Sequence, residues 1–256
     1  MLRTLVVSVA ASLATLGLTG VAEAATHYVA LGDSYSSGVG AGRYLNSGSC
    51  ERSRNAYPYQ YASSSGASLS FQACSGAKTS DVINNQAGAL SSSTNLVSIT
   101  VGGNDAGFSS VMETCVLGSD SDCKSVVDKA KSYVRTTLPG LLGKVYSTIR
   151  SRAPKAHVVV LGYPHFYKIG GSCVLGLSDT ARGYINGGAD ALDAVIAKAA
   201  ANAGFTFADV RPAFTGHEIC SGDAWLHSVT WPIDESYHPT ASGQKGGYLP
   251  TFESGS

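Results

Sequence analysis

The chain has 256 residues, with 18 basic and 18 acidic side chains, and therefore carries no formal net charge. A protein that binds the phosphates of a nucleic acid has a clear excess of basic over acidic residues, so this composition argues against a nucleic-acid partner. Charged residues make up only 14% of the chain while 44% are hydrophobic, which predicts a compact domain and not a disordered one.

The first predicted element is a secretory signal peptide at residues 1–24, followed by a single domain over 25–256. Arg3 gives a positive start, residues 5–21 are apolar or small, and Ala22-Glu23-Ala24 fits a cleavage site. A transmembrane anchor is the alternative, but the run is short for the ~20 residues that a spanning helix needs. We therefore predict an extracellular protein without stable membrane insertion, whose mature part of about 230 residues can bury one sizeable core.

Strand and helix patterns then alternate along the chain. The predicted strands cover residues 27–31, 68–73, 96–101, 157–161 and 205–210. The predicted helices cover residues 79–87, residues 125–152 with an interruption at Pro139-Gly140, a segment from the N-cap Ser178 to about Asn202, and a last helix after Thr240. This alternation predicts a parallel sheet with helices on both faces, in which ligands bind at the carboxyl ends of the strands.

Polar motifs stand at the ends of the first three strands. Gly32-Asp33-Ser34 follows the first strand, so its turn would expose the Ser34 hydroxyl at the edge of the sheet. Gly76 follows the second strand and allows close backbone approach to a ligand. Asn104 follows the third, after two glycines, and its amide can donate to a developing oxyanion. Each motif alone also fits an ordinary turn or helix cap, but their convergence predicts a catalytic site.

A serine becomes a nucleophile only beside a base, and His238 is the predicted base. It stands at the start of the last helix, where the rigid Pro239 would aim it toward the first strand end. His27 and His157 begin strands and are interpreted as structural. His165 and His217 lie in predicted loops that could line the site, and His227 is the remaining histidine.

All six cysteines follow the predicted cleavage site, and an even number in a secreted chain predicts three disulfides. Pairing of nearest neighbours is favoured because each bridge then closes a short or moderate loop: Cys50–Cys74, Cys115–Cys123 and Cys173–Cys220. No Cys-x-x-Cys or His-x-x-x-His spacing indicates a metal site, and the glycines of residues 38–42 do not fit a dinucleotide-binding loop. We predict neither metal nor cofactor.

Gly32-Asp33-Ser34, Gly76, Gly102-x-Asn104 and His238, in this order, resemble the GDSL (SGNH) hydrolase superfamily. The strings at residues 30–42, 98–108 and 236–244 resemble its secreted actinobacterial lipases and esterases. The resemblance covers essentially the whole mature chain, including the six cysteines, and supports the neighbour pairing of the disulfides. It implies a flavodoxin-like three-layer α/β/α sandwich with a central parallel sheet, and hydrolysis of carboxylic esters.

The resemblance also implies residue roles. Ser34 would be the nucleophile and His238 the general base, while the backbone N–H groups of Ser34 and Gly76 and the side-chain amide of Asn104 would form the oxyanion hole. Many members carry an aspartate three residues before the histidine, where this chain has Glu235. The group that orients His238 therefore stays open among three candidates, of which the carbonyl is favoured: Glu235, Asp234 and the backbone carbonyl near Ser236.

These observations predict a secreted, monomeric lipase or esterase that cleaves fatty acyl esters such as triacylglycerols through an acyl-enzyme on Ser34. Its partner would be a lipid or another small ester. Phospholipase A activity at the same site and a carbohydrate acetylesterase are the alternative enzymes, because substrate choice depends on loop residues that form no fixed motif. A secreted binding module with an inert serine is the non-enzymatic alternative.

Overall fold

The computed structural model describes residues 25–173 and 176–256, so the predicted signal peptide lies outside the described residues. Within these ranges five strands form one sheet in which every pair is parallel, in the order β2-β1-β3-β4-β5. The strands are β1 (His27–Gly32), β2 (Ser68–Phe71), β3 (Leu96–Thr100), β4 (His157–Leu161) and β5 (Thr206–Ala208). This order is the flavodoxin-like one, and its topological switch point lies between β1 and β3.

Helices cover both faces of the sheet and complete a three-layer α/β/α sandwich. They are α1 (Ser34–Ser37), α2 (Tyr57–Ser65), α3 (Thr79–Asp81), α4 (Phe108–Leu117), α5 (Asp120–Thr136), α6 (Leu138–Arg152), α7 (Asp179–Asn202), α8 (Arg211–Phe214) and α9 (Leu249–Gly255). One layer packs α2 against α9, and the other packs α7 against α5 and α6. Because both faces are covered, β3 is buried at every position and β1 at every position after His27.

The helix boundaries depart from the sequence prediction in several places. Helix α5 begins at Asp120, earlier than predicted, because Ser119 and Asp122 form a capping box there. The break before α6 falls at Thr137, which places the proline in the first turn of α6. The predicted helix at 79–87 is divided into α3, a π-helical segment (Val82–Gln86) and a 3-10 turn (Ala87–Ala89).

Four helices of the described chain were not predicted at all: the short α1 and α8, and the longer α2 and α4. The sequence of α2 is rich in tyrosine and serine and lacks a clear apolar repeat, and α4 follows the glycine-rich loop after β3. The last helical region starts as a π-helical segment (Gly243–Tyr248) and continues into α9. Short 3-10 turns also form at Gly48–Cys50 and Ile233–Glu235. No described helix has the length and apolarity to span a membrane.

The six cysteines form the three disulfides that the sequence predicted, namely Cys50–Cys74, Cys115–Cys123 and Cys173–Cys220. The first connects the loop after α1 to the loop after β2, two residues before Gly76. The second joins α4 to α5, and the third fastens the loop after β4 to the segment that follows α8. Each bridge therefore ties a connection on the carboxyl side of the sheet, where the candidate site lies.

Candidate active site

The turn after β1 holds the Ser34 hydroxyl at the carboxyl end of the sheet. Gly32 has a φ of +123°, and a Cβ at this position would lie 2.5 Å from the Thr100 carbonyl oxygen, so only glycine fits. Asp33 caps α1, because its Oδ1 accepts a hydrogen bond from the Tyr35 backbone N–H at 3.1 Å. Ser34 is consequently the first residue of α1, with its own N–H at the helix start.

The carboxylate of Asp33 is buried and fully engaged. Its Oδ1 also accepts from the Thr100 hydroxyl at 2.6 Å, and its Oδ2 accepts from the Tyr163 hydroxyl. Burial raises the pKa of Asp33 to about 6, and the hydrogen bonds from Thr100 and Tyr163 oppose that rise. This network fixes the serine turn to β3 and to the loop after β4. Sequence reasoning treated Asp33 only as part of a motif and missed Tyr163.

His238 meets Ser34 across 204 residues of chain, with its Nε2 at 2.7 Å from the Ser34 Oγ. Tyr35 supports this approach from two sides. Its ring packs 5.3 Å from the imidazole, and its hydroxyl donates to the Tyr237 carbonyl at 2.6 Å. Burial lowers the pKa of His238 to about 4, so near neutral pH the ring is uncharged and its Nε2 can accept the Ser34 proton.

The surroundings of the other ring nitrogen bear on the orienting group. Nδ1 of His238 is buried and has no hydrogen bond of ordinary geometry with another described residue. The backbone groups of Ser236 and Asp234 nevertheless raise the pKa of His238 and partly offset its burial. The Glu235 carboxylate is turned elsewhere, since its Oε1 accepts from the Tyr44 hydroxyl at 2.7 Å. Of the three candidates, Glu235 is therefore the one that the geometry favours least.

The predicted oxyanion donors are the Ser34 N–H, the Gly76 N–H and the Asn104 amide. Asn104 lines the same cavity as Ser34, and its Nδ2 donates one hydrogen to the Ala77 carbonyl at 3.0 Å, which leaves the second hydrogen available. Ala77 follows Gly76, which has a φ of +74°. The space in which a Cβ of residue 76 would lie is empty to 4 Å. In the turns, loops and caps of the described residues, the Ser34 N–H and the Gly76 N–H form no hydrogen bond with a backbone carbonyl.

A cavity with apolar walls leads from Ser34 and Asn104 into the space between α4, α5 and α7. The stacked rings of Phe108 and Phe166, 5.2 Å apart, stand at its side. Its deeper walls are aliphatic: Val111, Met112, Val127, Val134, Ile185 and Leu192. Lys131 is the charged residue among the lining residues of these helices. Such a shape accepts a hydrocarbon chain whose reacting end lies at the serine.

The remaining histidines make structural contacts. His165 Nε2 lies 2.8 Å from Asp190 Oδ1, and the ring of His217 stacks on Trp225 at 3.6 Å. Neither is among the residues that line the cavity, so the expectation that these two could line the site finds no support in this geometry. His227 lies beside the site, where its Nε2 is 2.8 Å from the Gly40 carbonyl oxygen.

Comparison with known proteins agrees with this fold and with the order of the motifs. Residues 30–245 match the GDSL-like Lipase/Acylhydrolase family. Lipase 1 of Streptomyces coelicolor is 60% identical over 232 residues, which span 90% of this chain and 86% of that lipase. Among solved structures, the extracellular lipase of Streptomyces rimosus is 57% identical with a TM-score of 0.89, over 91% of this chain and 100% of its own. Phospholipase A1 of Streptomyces albidoflavus NA297 is 59% identical, with the same TM-score and coverage.

Proposed function

The chain belongs to the GDSL-like lipase/acylhydrolase family, and from that premise we propose that it is a secreted lipase cleaving fatty acyl esters such as triacylglycerols. It is a carboxylic ester hydrolase that acts on lipid or other ester substrates, as its relatives at 58–60% identity are lipases. The observation that carries the proposal is the 2.7 Å contact between Ser34 Oγ and His238 Nε2. This contact occurs where an apolar cavity opens at the serine.

The reaction that follows from this geometry is acyl transfer through Ser34. His238 Nε2 takes the hydroxyl proton as the Ser34 oxygen attacks the ester carbonyl, and the proton then passes to the departing alcohol. The N–H groups of Ser34 and Gly76 and the Asn104 amide stabilise the tetrahedral oxyanion, each such donor typically being worth about 3 kcal/mol. Water, activated by the same histidine, releases the acid from the acyl-enzyme.

The ring of His238 is oriented, in this proposal, by the backbone carbonyl of Ser236 and not by a side-chain carboxylate. The effect of the Ser236 backbone on the pKa of His238 supports this assignment, and so does the engagement of Glu235 with Tyr44. A carbonyl suffices because its task is to hold the tautomer with the proton on Nδ1. The backbone and the charge of Asp234 also raise the pKa of His238, each by less than the Ser236 backbone does.

The cavity favours a long acyl chain over an acetyl group, because its walls beyond the serine are apolar over several side chains. This supports the lipase assignment over the acetylesterase alternative. Phospholipase A activity at the same site remains the second candidate, since the phospholipase A1 of Streptomyces albidoflavus NA297 shares 59% of the sequence. Secretion through the peptide at 1–24 is supported by the three disulfides, which persist in oxidising compartments. The proposal also includes that the protein is a monomer and that it binds no nucleic acid.

The decisive experiment combines covalent labelling with a substrate series. We expect a fluorophosphonate to label the native protein and not the Ser34→Ala variant. The native protein and this variant should melt at similar temperatures. Hydrolysis of p-nitrophenyl esters should increase from acetate to medium or long acyl chains, and His238→Ala should lose several orders of magnitude in rate. Absence of labelling would contradict the enzyme, and an optimum at acetate would contradict the lipase.

A further inference from the structure

The exposed apolar side chains of the described residues are concentrated in one place. Seven large hydrophobic side chains are exposed among all the residues that the structure describes. Five of them belong to the end of α4 and to the loop before His238, and we call these five the apolar rim: Val116, Leu117, Val229, Trp231 and Ile233. Trp231 is 85% exposed and Leu117 is 79% exposed. Single exposed apolar residues are ordinary, but a cluster of this size marks an interaction surface.

The apolar rim surrounds a groove that ends at the candidate base. Val116, Leu117, Val229 and Ile233 line this groove, and its walls continue to Tyr237 and His238. Phe108 and Met112 line both this groove and the acyl cavity. Anything that covers the rim therefore lies next to His238 and to two residues that also line the acyl cavity. The rim and the reaction site are therefore neighbours on the same side of the protein.

The charges around the groove restrict what can cover it. Its lining contains two acidic residues, Glu113 and Asp234, and no lysine or arginine. Glu235 adds a third carboxylate beside Asp234. A surface of this sign repels anionic lipid headgroups and polyanions, whereas it tolerates zwitterionic or uncharged ones. Tryptophan with exposed aliphatic neighbours is also the combination found at the boundary between hydrocarbon and water.

We propose that the apolar rim docks the enzyme onto the surface of aggregated zwitterionic or neutral ester lipid, with Trp231 and Leu117 entering the interface. This inference rests on the proposed lipase function and adds to it the surface through which substrate is reached. Docking removes the most exposed apolar area of the described chain from water. It also presents the open end of the groove to the lipid, so that an ester moves from the interface to Ser34 without crossing bulk water.

Binding is measured on the secreted protein carrying Ser34→Ala, so that the lipid is not consumed. We expect this variant to bind phosphatidylcholine vesicles in co-sedimentation and to show a blue shift of tryptophan fluorescence. In the same background, Trp231→Ser combined with Ile233→Ser should weaken the partition coefficient by about tenfold or more. Trp231→Phe should retain most of the binding but lose most of the blue shift. Ile169→Ser is the matched control, because Ile169 is 53% exposed and lies outside the groove lining.

Kinetics in the active protein separate docking from chemistry. Trp231→Ser with Ile233→Ser should leave the hydrolysis of monomeric p-nitrophenyl butyrate unchanged and reduce the hydrolysis of vesicle lipid by about tenfold. Loss of both activities would place the rim in the reaction site and overturn the proposal. If the native protein hydrolyses no ester, the proposed function fails. Vesicle binding by the Ser34→Ala variant still tests the docking surface, because this assay does not depend on catalysis.

Several binding outcomes would also overturn the proposal. They are no binding to phosphatidylcholine, binding that requires anionic phosphatidylglycerol, and equal losses in the rim and Ile169 variants. Sedimentation of the protein in the absence of lipid tests whether a second copy of the chain covers the apolar rim instead. A dimer that the rim substitutions dissociate would assign the surface to self-association instead of lipid.

Discussion

The acid limb of the pH–rate profile should lie far below that of an ordinary histidine. Because burial lowers the pKa of His238 to about 4, the base stays neutral to more acidic pH than a free imidazole with a pKa of about 6.5. At about pH 5 a group of pKa 4 is ~90% neutral, whereas one of pKa 6.5 is only ~3% neutral. The two cases differ about thirtyfold in the active fraction of the enzyme.

The assay follows kcat/KM for a soluble ester such as p-nitrophenyl butyrate, since this parameter reports the pKa values of the free enzyme. We expect the value at about pH 5 to remain near the plateau reached at higher pH. The same lowered pKa destabilises the fold in acid, because the unfolded chain takes up the proton at a higher pH than the native one. Full recovery of activity after return to neutral pH therefore serves as the control for unfolding.

Asp33 offers a second titration that must be separated from that of His238. Its pKa is raised to about 6 by burial, and its carboxylate caps the serine turn. The Asp33→Asn variant keeps an acceptor oxygen for Tyr35 but cannot titrate, so the limb should stay near pH 4 in this variant. A half-loss of kcat/KM near 6.5 would refute the reasoning on His238, and a limb near 6 that disappears with Asp33→Asn would assign it to the capping residue.

Four further predictions concern the donors, the orienting group, the acyl cavity and the buried carboxylate. Asn104→Ala should lower kcat by about 10²–10³ with little change in KM. Glu235→Gln and Asp234→Asn, measured separately, should each keep most of the activity, and a large loss in either would remove the carbonyl assignment. Gly188→Leu should shift the ester optimum to shorter chains, because its Cβ would lie 3.6 Å from Val127 in the cavity wall; Gly183→Leu, with open space, should not. Asp193→Asn should raise the free energy of urea unfolding more at about pH 8 than at pH 5. The pKa of Asp193 is raised to about 8, so native stability declines as pH rises from the unfolded value near 3.9.

The parts of the fold that the sequence predicted well are those defined by local signals. Strand β4 has the predicted bounds, because its run of three valines gives a clear local signal. Helix α7 begins after Ser178, whose hydroxyl accepts from the Ala181 N–H at 3.0 Å. Strand β5 is shorter than predicted, since it pairs with β4 alone and only three residues find partners. Helix α2 was missed because its sequence has no clear apolar repeat. Helix α4 was missed although Phe108, Val111, Met112 and Cys115 recur at helical spacing in it.

The candidate site shows the same division between local and tertiary signals. Ser34, Asn104 and His238 stand in short motifs at strand or helix ends, so their meeting could be predicted. Gln86 could not, although its side chain forms two hydrogen bonds of 2.8 Å with the backbone of Gly32. Gln244 likewise accepts from the Tyr57 N–H and donates to the Tyr35 carbonyl. These side-chain amides form hydrogen bonds with backbone groups that are distant in the chain, and no residue spacing in the sequence predicts such partners.

The buried carboxylates explain how a four-residue helix can hold a nucleophile in place. Asp193 Oδ1 accepts from the Tyr163 N–H at 2.9 Å, and the Tyr163 hydroxyl in turn donates to Asp33. Burial raises the pKa of both aspartates, so each costs free energy that an apolar residue in its place would not. What the pair provides is directional: hydrogen bonds of fixed geometry connect α7, the loop after β4 and the cap of α1. The position of Ser34 relative to β3, β4 and α7 is thereby determined by these hydrogen bonds and not by its own short turn alone.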